Sequence, residues 1–455
     1  MAKKSKQFQT PSGMHDILPS EQYLWQYFYK VAEEISSYYN FQRIDTPVLE
    51  FADLFRKGTG QGTDIVEKEM YTLRTRGGDA LTLRPEGTPP IVRAYIQHGM
   101  KKWTSPVKLY YVAPMFRHDR PQRGRFRQFY QFGLETIGED DPARDAEILH
   151  AFFVIFARLR LKNVVVEINS IGCSSCRPKY IKTLKEHYRY RIRQVCKDCR
   201  GKYKTNPLRL LDCEEEKCAR VKIETPQILD FLCVDCNNHF KKVLEMLDSI
   251  GIPYLLNPYL VRGLEYYTRT VFEIFEEQVD PPVPQASRQA GADVKESDKD
   301  TATKGPVTKR LAIGSGGRYD NLVKFLGGKD TPAVGGALGI ERIMEAIAGN
   351  KNKPAKPPEP DVFIVQLGDA AKKRAFMLFE EFRKARIPVR EAFGRESISS
   401  QLKLANKFKT NIAVIIGQKE ALDKVAIIRE MDTGTQETVP QDKLIKEVTR
   451  RLRNK

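Results

Sequence analysis

The stretch from Arg117 to Arg127 contains five arginines within eleven residues, together with Pro121 and Gly124. Guanidinium groups bind phosphates and carboxylates through paired hydrogen bonds. Proline and glycine favour chain reversals, so the stretch predicts the tip of a hairpin that binds phosphate groups. A solvated basic loop is the alternative that the arginines alone leave open.

A predicted strand, Phe129–Ile137, follows directly. Side chains two residues apart share one face of a strand, so Phe129, Gln131, Gly133 and Glu135 lie together. This face offers an aromatic ring, an amide, a gap and a carboxylate, which suits the floor of a polar ligand site better than a core. The alternative is that Glu135 forms a salt bridge with a neighbour.

All eight cysteines lie between Cys173 and Cys236. By spacing they form four pairs: Cys173 and Cys176, Cys196 and Cys199, Cys213 and Cys218, and Cys233 and Cys236. Four pairs can supply two sites of four thiolates, a ligand set that Zn²⁺ uses in structural sites. Reduced thiols packed in a small helical insertion are the alternative. Clustered pairs in a chain without a secretory signal favour a reduced compartment over disulfide bonds.

The chain of 455 residues carries a formal net charge of +18. This excess favours a polyanionic partner, most simply nucleic acid, and a generally basic proteome is the alternative. Lys179–Lys204 contains ten Lys or Arg residues against two acids. The run predicts either an RNA-binding face or a solvated charged surface.

The sequence contains no apolar run of about eighteen residues, so no segment is expected to span a membrane. Met1–Thr10 is basic but lacks the apolar core of a secretory signal. We therefore expect a cytoplasmic protein without a membrane partner.

Predicted elements carry these residues in an α+β arrangement. A helix opens at Ser20-Glu21, and its apolar positions recur at steps of four and three: Leu24, Phe28, Val31, Ile35 and Tyr38. Strands are predicted at Arg43–Leu49, Ala80–Arg84, Val107–Met115, Phe129–Ile137 and Val164–Ile168, and helices at Pro89–His98 and Arg144–Leu159. Successive strands with helices between them are typical of an α+β domain on a mainly antiparallel sheet.

The length suggests about three domains. We expect one domain over residues 1–172, interrupted by a basic cysteine-rich insertion over 173–236 and resumed over 237–349. Gln278–Lys309 lacks aromatic residues and periodicity and is expected to be a disordered loop. Four prolines within Lys351–Pro360 predict an extended linker over 350–360.

Residues 361–455 are predicted to form a separate small α/β domain, because strand and helix patterns alternate there. The predicted elements are strands at Asp361–Leu367, Ile412–Gly417 and Ala421–Arg429, and helices at Ala370–Ala385 and Gln441–Leu452.

Five motifs resemble those of class II aminoacyl-tRNA synthetases, in the form found in the histidyl-tRNA synthetase family. They are the amino-acid-binding loop at Leu81–Thr88, motif 2 at Phe116–Ile137, the two histidine-specific signatures at Leu260–Thr268 and Ser315–Asp320, and motif 3 at Gly335–Arg342. The motifs stand in the family's order, and the chain from Asp361 is similar to the family's anticodon-binding domain.

The resemblance implies a fold, an activity and a set of partners. The fold is an antiparallel-sheet catalytic domain with a helical insertion, plus a C-terminal α/β anticodon-binding domain. The activity joins L-histidine to ATP, giving histidyl-adenylate and pyrophosphate, and then transfers the histidyl group to the 3′ end of a histidine-specific tRNA. Mg²⁺ would accompany the ATP. The insertion would contact the tRNA acceptor arm, and a homodimer would form through a helix and strand at Tyr23–Leu49.

Residue roles follow from the same resemblance. Arg117 and Arg262 would be catalytic, acting at the α-phosphate. Histidine would be bound by Glu86, Gly87, Thr88, Arg117, Gln131, Glu135, Arg262, Tyr266 and Tyr267. ATP would be bound by Arg117, Arg125, Phe129 and Arg342. An ion pair of Arg262 with Glu265 or another acid is the structural alternative.

A site built from buried polar partners rejects apolar analogues by about 10⁴ or more, so no hydrolytic editing site is expected. A non-catalytic paralogue, such as a regulatory subunit of ATP phosphoribosyltransferase, is the alternative. Such a paralogue drops the catalytic signatures and the anticodon domain, and this chain retains both. A pure RNA-binding module would leave the polar face of Phe129–Ile137 unexplained.

Overall fold

The structure, a computed structural model, describes residues 8–103, 105–122, 124–278, 309–349, 353–357, 359–395 and 397–453. The chain divides into two compact units, the first ending at Pro354 and the second beginning at Ala355. The division therefore falls inside the proline-rich stretch that the sequence predicts to be a linker.

Eleven strands of the first unit form two sheets. In chain order the strands are β1 (Gln42–Arg43), β2 (Leu49–Phe51), β3 (Thr72–Arg74), β4 (Ala80–Leu83), β5 (Val107–Phe116), β6 (Gln128–Ile137), β7 (Val164–Ser170), β8 (Tyr254–Leu256), β9 (Thr268–Gln278), β10 (Lys309–Arg318) and β11 (Ala333–Gly339). The larger sheet has the order β1-β5-β6-β11-β10-β9-β7-β8, and the smaller has the order β2-β4-β3.

The eight-stranded sheet is mainly antiparallel. All neighbours from β5 across to β7 run antiparallel, and the two edge pairs, β1 with β5 and β7 with β8, run parallel. The predicted α+β class on a mainly antiparallel sheet is confirmed.

Ten α-helices of the first unit lie within the described residues: α1 (Gln22–Tyr38), α2 (Ala52–Gly58), α3 (Thr88–Gln97), α4 (Ala143–Arg158), α5 (Arg177–Arg189), α6 (Lys197–Thr205), α7 (Glu216–Ile223), α8 (Val234–Ser249), α9 (Leu322–Phe325) and α10 (Ile340–Gly349). Alternate side chains of β5 enter two different cores, because Tyr110 packs with α1 and α4 while Leu109 and Tyr111 pack with α3 and α5. The sheet therefore has apolar packing on both faces.

The apolar stripe predicted for α1 is buried at its first four positions, Leu24 to Ile35. Its last member, Tyr38, is 73% exposed. The single strand predicted at Arg43–Leu49 was wrong, since β1 ends at Arg43 and β2 begins at Leu49 in the other sheet. Pro47, which has no N–H to donate to a ladder, lies in the gap between them.

The insertion predicted at 173–236 is helical within the described part of the chain. It contains α5, α6 and α7, and α8 begins inside it and runs on to Ser249. Tyr180, Leu184 and Leu210 of the insertion share a core with Tyr266. The insertion is therefore packed into the first unit.

The loop predicted at Gln278–Lys309 lies between β9 and β10. Gln278 and Lys309 are themselves strand residues and pair with each other in the β9–β10 ladder. Residues 279–308, on which the prediction of disorder falls, lie outside the described residues.

The second unit contains β12 (Val362–Gln366), α11 (Asp369–Lys384), β13 (Val389–Glu391), α12 (Ile398–Lys407), β14 (Ile412–Ile416), α13 (Gln418–Leu422), β15 (Val425–Glu430), β16 (Gln436–Pro440) and α14 (Leu444–Arg453). The five strands form one sheet in the order β13-β12-β14-β15-β16. The strand predicted at Ala421–Arg429 begins too early, because Ala421 still belongs to α13. None of the helices in the described part of the chain is long and apolar enough to cross a membrane.

Candidate active site

A cavity of about 480 Å³ opens over the eight-stranded sheet of the first unit. It collects side chains that are far apart in the sequence but were predicted to bind one set of ligands. Those on its wall are Glu86, Gly87, Thr88, Arg117, Arg125, Phe129, Gln131, Arg262, Tyr266, Tyr267 and Arg342. Glu135 is the one predicted ligand-binding residue that is absent from this wall.

The floor of the cavity is formed by β6, which carries Phe129 and Gln131 on the predicted face. The expected gap at Gly133 is filled by the ring of Tyr111, which lies opposite it on β5. A Cβ atom added at Gly133 or at Gly87 would meet this ring at 2.3 Å. The two glycines therefore let Tyr111 lie between β6 and the loop that precedes α3.

Glu86 is 4% exposed and is held by two hydroxyl groups. Thr59 donates to its Oε1 at 2.5 Å, and Tyr266 donates to its Oε2 at 2.6 Å. Burial raises the pKa of Glu86, while the two hydroxyl donors and nearby Arg117 act in the opposite direction. The result is a fixed carboxyl group at the cavity wall, suited to a ligand that donates hydrogen bonds or carries positive charge.

Glu135 lies behind the wall, where it is 1% exposed. Its Oε1 accepts from the Thr88 hydroxyl at 2.7 Å and its Oε2 from the Tyr319 hydroxyl at 2.5 Å. Burial raises the pKa of Glu135 to about 8. Among the described residues, its hydrogen-bond partners are hydroxyl groups, so the salt bridge considered as an alternative is not what the structure contains.

Arg117 follows directly after β5, and its Nε donates to the carbonyl oxygen of Pro85 at 2.8 Å. Its guanidinium lies over the ring of Phe129, with 5.3 Å between Cζ and the ring centroid. Both contacts hold the guanidinium at the cavity wall.

Arg262 is fixed by an acid and a hydroxyl. It forms an ion pair with Glu273 at 3.1 Å and donates to the Ser315 hydroxyl at 2.8 Å. The acid in this pair is not Glu265, which instead accepts from Asn206 at 3.0 Å. Arg262 therefore does form an ion pair with an acid, as the alternative to a catalytic role proposed. Both Arg262 and Glu273 nevertheless line the cavity.

The arginine-rich tip connects two antiparallel strands, as its turn residues predict. β5 ends at Phe116 opposite Gln128 of β6. At the tip, Arg342 donates from Nε to the carbonyl oxygen of Gly124 at 2.9 Å. Arg125 is half-exposed and lies 3.4 Å from Asp119. The tip and the start of α10 therefore form one end of the cavity.

The sequence-based analysis missed several polar residues of the wall. They are Asp64, Glu69, Asp119, Arg209, Asp212, Glu273, Ser315 and Glu341. Arg209 and Asp212 belong to the insertion, and Arg209 pairs with Asp64 at 2.5 Å. No local pattern marks these two residues, because the docking of the insertion alone brings them to the cavity.

His98, at the end of α3, and His118, in the arginine-rich tip, are both exposed, and neither lines the cavity. The main-chain N–H of His118 donates to the carbonyl oxygen of Glu69 at 2.7 Å.

The fold and the cavity together define a class of protein. An antiparallel sheet whose face carries a buried carboxylate and amide, with an arginine-rich hairpin at one end, is the arrangement of a class II aminoacyl-tRNA synthetase. Function is carried by the site and not by the fold alone, so the geometry of this cavity counts for more than the sheet order.

Known proteins are similar to this chain over nearly its whole length. The family model described as histidyl-tRNA synthetase matches residues 13–175, and an anticodon binding domain matches residues 361–451. A histidine–tRNA ligase of Dehalococcoides mccartyi is 43% identical, covering 98% of this chain and 100% of its own length. Another, from Desulforamulus reducens, is 40% identical over 96% of this chain and 97% of its own.

A solved structure agrees with these relatives. The crystal structure of apo S. aureus histidyl-tRNA synthetase matches with a TM-score of 0.74 and 32% identity, covering 97% of this chain and 99% of that chain. The chain therefore belongs to the histidyl-tRNA synthetase family. Relatives that align end to end and are named as ligases favour the synthetase over the non-catalytic paralogue.

Proposed function

We propose that this protein is a histidine–tRNA ligase that activates L-histidine with ATP in the cavity and then charges its cognate tRNA. One observation carries the proposal: Arg117 and Arg262 share a cavity wall with the buried carboxyl of Glu86. Two fixed guanidinium groups suit a reaction at phosphorus, and the carboxyl suits an amino-acid ammonium group.

In the first step an oxygen of the histidine carboxylate attacks the α-phosphorus of ATP, and the bond to pyrophosphate breaks. Such a transfer needs positioning and charge stabilisation more than covalent help. Arg117 and Arg262 would stabilise the charge that develops on the α-phosphate oxygens. The contacts of Arg262 with Glu273 and Ser315 support this role, because they hold the guanidinium before substrate arrives. Mg²⁺ bound with ATP would neutralise further phosphate charge.

In the second step a hydroxyl of the terminal ribose of the tRNA attacks the carbonyl carbon of histidyl-adenylate, and AMP leaves. A phosphate oxygen of the substrate or a side chain of the protein accepts the hydroxyl proton.

We propose that Glu86, Thr88 and Gln131 bind the α-ammonium group of histidine, beside Gly87. The amide oxygen of Gln131 is buried and has no hydrogen-bond partner among the described residues, which supports a ligand donor at this point. An ammonium group, with its three N–H donors, meets that need.

Glu135, Tyr266 and Tyr267 would define the imidazole end of the pocket. A carboxyl whose pKa burial raises to about 8 gains from a ligand that donates an N–H to it. An imidazole N–H would donate to the Glu135 carboxyl group as the Thr88 hydroxyl does. Such polar recognition makes hydrolytic editing unnecessary. Deacylation of a mischarged tRNA by the pure protein would contradict that expectation.

For ATP, we propose that Phe129 and Arg342 hold the adenine ring between them, by stacking and by cation–π attraction. Arg125 and Arg117 would contact the phosphates. The bond from Arg342 to Gly124 supports the arrangement, because it ties the guanidinium to the arginine-rich tip.

Exchange of labelled pyrophosphate into ATP that depends on histidine tests the proposed activity. Arg262→Lys should lower kcat of this exchange by on the order of 10²-fold, because lysine cannot offer two donors in a fixed plane. The KM for ATP should change much less. Arg220→Lys, at an exposed position on α7, is the matched control and should match wild type. Histidine-independent exchange, or equal rates in the two variants, would contradict the proposal.

We also propose that the insertion contacts the tRNA acceptor arm, that the second unit binds the anticodon, and that the protein works in the cytoplasm as a homodimer.

Exposed apolar side chains lie in or beside the predicted dimer segment Tyr23–Leu49, namely Tyr38, Leu49 and Phe51. Their exposure supports contact with a second copy. Sedimentation equilibrium should give twice the mass of one chain, and a monomer mass at micromolar concentration would contradict the dimer.

A further inference from the structure

Two groups of cysteines lie outside the proposed active site. Cys173, Cys176, Cys233 and Cys236 form the first thiol cluster, and Cys196, Cys199, Cys213 and Cys218 form the second. Within each cluster the four Sγ atoms all lie within 4.8 Å of one another. The sequence leaves open which pairs combine, and the fold selects one arrangement.

The sulfur spacing is that of a tetrathiolate. The Sγ–Sγ distances are 3.6 Å for Cys173–Cys176, 4.0 Å for Cys173–Cys233, 3.9 Å for Cys196–Cys213 and 3.8 Å for Cys199–Cys218. A zinc–sulfur bond of about 2.3 Å gives a tetrahedron whose edges are about 3.8 Å long. A disulfide bond would require about 2.05 Å.

Main-chain amides support the sulfur atoms in both clusters. The N–H of Cys233 donates to Sγ of Cys176 at 3.1 Å, and the N–H of Cys196 donates to Sγ of Cys218 at 3.2 Å. Bonds of this kind orient metal ligands and stabilise their charged form. In each cluster two of the four cysteines are fully buried, where uncompensated thiolate charge would be costly.

We propose that each thiol cluster binds one structural zinc ion, and that the second ion fixes part of the active-site wall. The segment 200–212 runs between Cys199 and Cys213, so both of its ends adjoin ligands of the second cluster. Arg209 and Asp212 of this segment line the cavity.

The segment reaches the rest of the site through two polar contacts. Arg209 pairs with Asp64 at 2.5 Å, and Asn206 donates to Glu265 at 3.0 Å. Because both ends of the segment are held by the metal site, zinc limits how far Arg209 can move from Asp64. The role of this zinc is positioning, since the cluster itself does not line the cavity.

The first cluster lies next to another part of the site. Arg177 follows Cys176 directly and donates to the carbonyl oxygen of Tyr267. Next to the cluster, the N–H of Arg269 donates to the carbonyl oxygen of Gly172 at 3.0 Å. The first ion thus supports the strand end that carries Tyr267.

Metal analysis of the purified full chain tests the zinc assignment. We expect two zinc ions per chain in wild type, one in Cys213→Ser, one in Cys233→Ser, and two in the control Ser175→Ala. Cobalt substitution should give the absorption of tetrahedral thiolate-bound Co²⁺, saturating at two equivalents. Iron in place of zinc, or clearly fewer than two zinc ions per wild-type chain, would overturn the assignment without any need for a folded variant.

Hydrogen exchange tests whether the second zinc ion positions the segment 200–212. Only the accompanying activity measurement rests on the proposed function. Peptides covering residues 200–212 should lose protection in Cys213→Ser but keep it in Ser175→Ala. Histidine-dependent pyrophosphate exchange should fall by on the order of 10²-fold in the same variant. Unchanged protection despite the loss of one zinc would overturn the positioning role. If wild type lacked pyrophosphate exchange, the proposed function would fail while the zinc count and the protection pattern still stood.

Discussion

Burial is the largest influence on the pKa values of the two carboxyl groups in the proposed histidine pocket. It raises the pKa of Glu86 and raises that of Glu135 to about 8, although hydroxyl donors oppose the shift at both residues. At neutral pH Glu135 is therefore mainly protonated. A ligand that donates hydrogen bonds to Glu135 favours its ionised form, so histidine binding and proton release are linked.

Glu135→Gln should change how stability depends on pH. The folded pKa of about 8 lies above the value of about 4.3 in an unfolded chain, so the folded state binds this proton more tightly. The stabilisation is complete below about pH 4 and is lost as pH rises through 8. Between pH 5 and pH 9 the stability of Glu135→Gln relative to wild type should rise by about 4 kcal/mol, because about three pH units separate pH 5 from the folded pKa and each contributes about 1.4 kcal/mol.

Urea unfolding of both proteins at the two pH values measures this gain. Glu216→Gln, at an exposed position on α7, is the control and should show no such pH-dependent difference. A constant difference between Glu135→Gln and wild type from pH 5 to 9 would contradict the raised pKa.

Residue-scale prediction succeeded where the pattern is local. Alternation along β6 is enough to predict that Gln131 and Glu135 share a face. It cannot predict that Tyr111 fills the gap at Gly133, because that contact depends on the register of β5 against β6. Nor can it predict that Thr88 lies between the carboxyl group of Glu135 and the cavity, since a distant loop supplies that residue.

At the scale of elements, β11 limits the space behind the pocket. Gly335 of β11 lies opposite Glu135 of β6 in the ladder. A Cβ atom at Gly335 would come within 1.7 Å of the Glu135 carboxylate oxygen. Gly316 on β10 is equally restricted, since a Cβ there would meet the carbonyl oxygen of Gly335 at 2.3 Å. Gly316 of the second histidine-specific signature and Gly335 of motif 3 therefore mark close strand packing. The register of β11 fixes how deep the carboxyl group can lie.

Gly335→Ala should displace either Glu135 or the strand. We expect a loss of about 1–3 kcal/mol in unfolding free energy from overpacking and a rise of roughly tenfold in the KM for histidine. Gly201→Ala in α6 is the matched control, because an added Cβ there meets nothing within 4 Å. Urea unfolding and pyrophosphate exchange at varied histidine measure both effects. If the two alanine variants behave alike, the packing argument fails.

The larger elements were more predictable than their ends. Ten-residue β5 and β6 follow from strong strand patterns. The split of the predicted strand Arg43–Leu49 into β1 and β2 depends on which sheet each end joins, and the docking of the insertion depends on contacts such as Arg209 with Asp64. These are long-range choices that carry no local sequence signal.

At the scale of the molecule, positive charge is concentrated on the insertion. Three exposed cations of α5 and the loop after it represent this face: Lys182, Arg189 and Arg193. If the face binds tRNA phosphates, binding releases counterions and the affinity falls steeply with salt.

Replacing those three residues by alanine should weaken tRNA binding and reduce the slope of log K against log salt by about 2. Histidine-dependent pyrophosphate exchange without tRNA should stay within about twofold of wild type, because none of the three lines the cavity. A charge-matched control replaces Lys101, Lys102 and Lys162, which are exposed elsewhere on the first unit. Equal slopes in the two triple variants would contradict an RNA-binding face on the insertion.

The pairing of Gln278 with Lys309 has a practical consequence for protein engineering. The backbone leaves the large sheet at Gln278 and re-enters it at the neighbouring position Lys309. An insert between these two residues would therefore be attached at one place on the edge of the β9–β10 ladder. A reporter domain or purification tag grafted there would leave the ladder between β9 and β10 intact. The same junction would accept a short turn between the two paired ends, giving a trimmed enzyme suited to crystallisation.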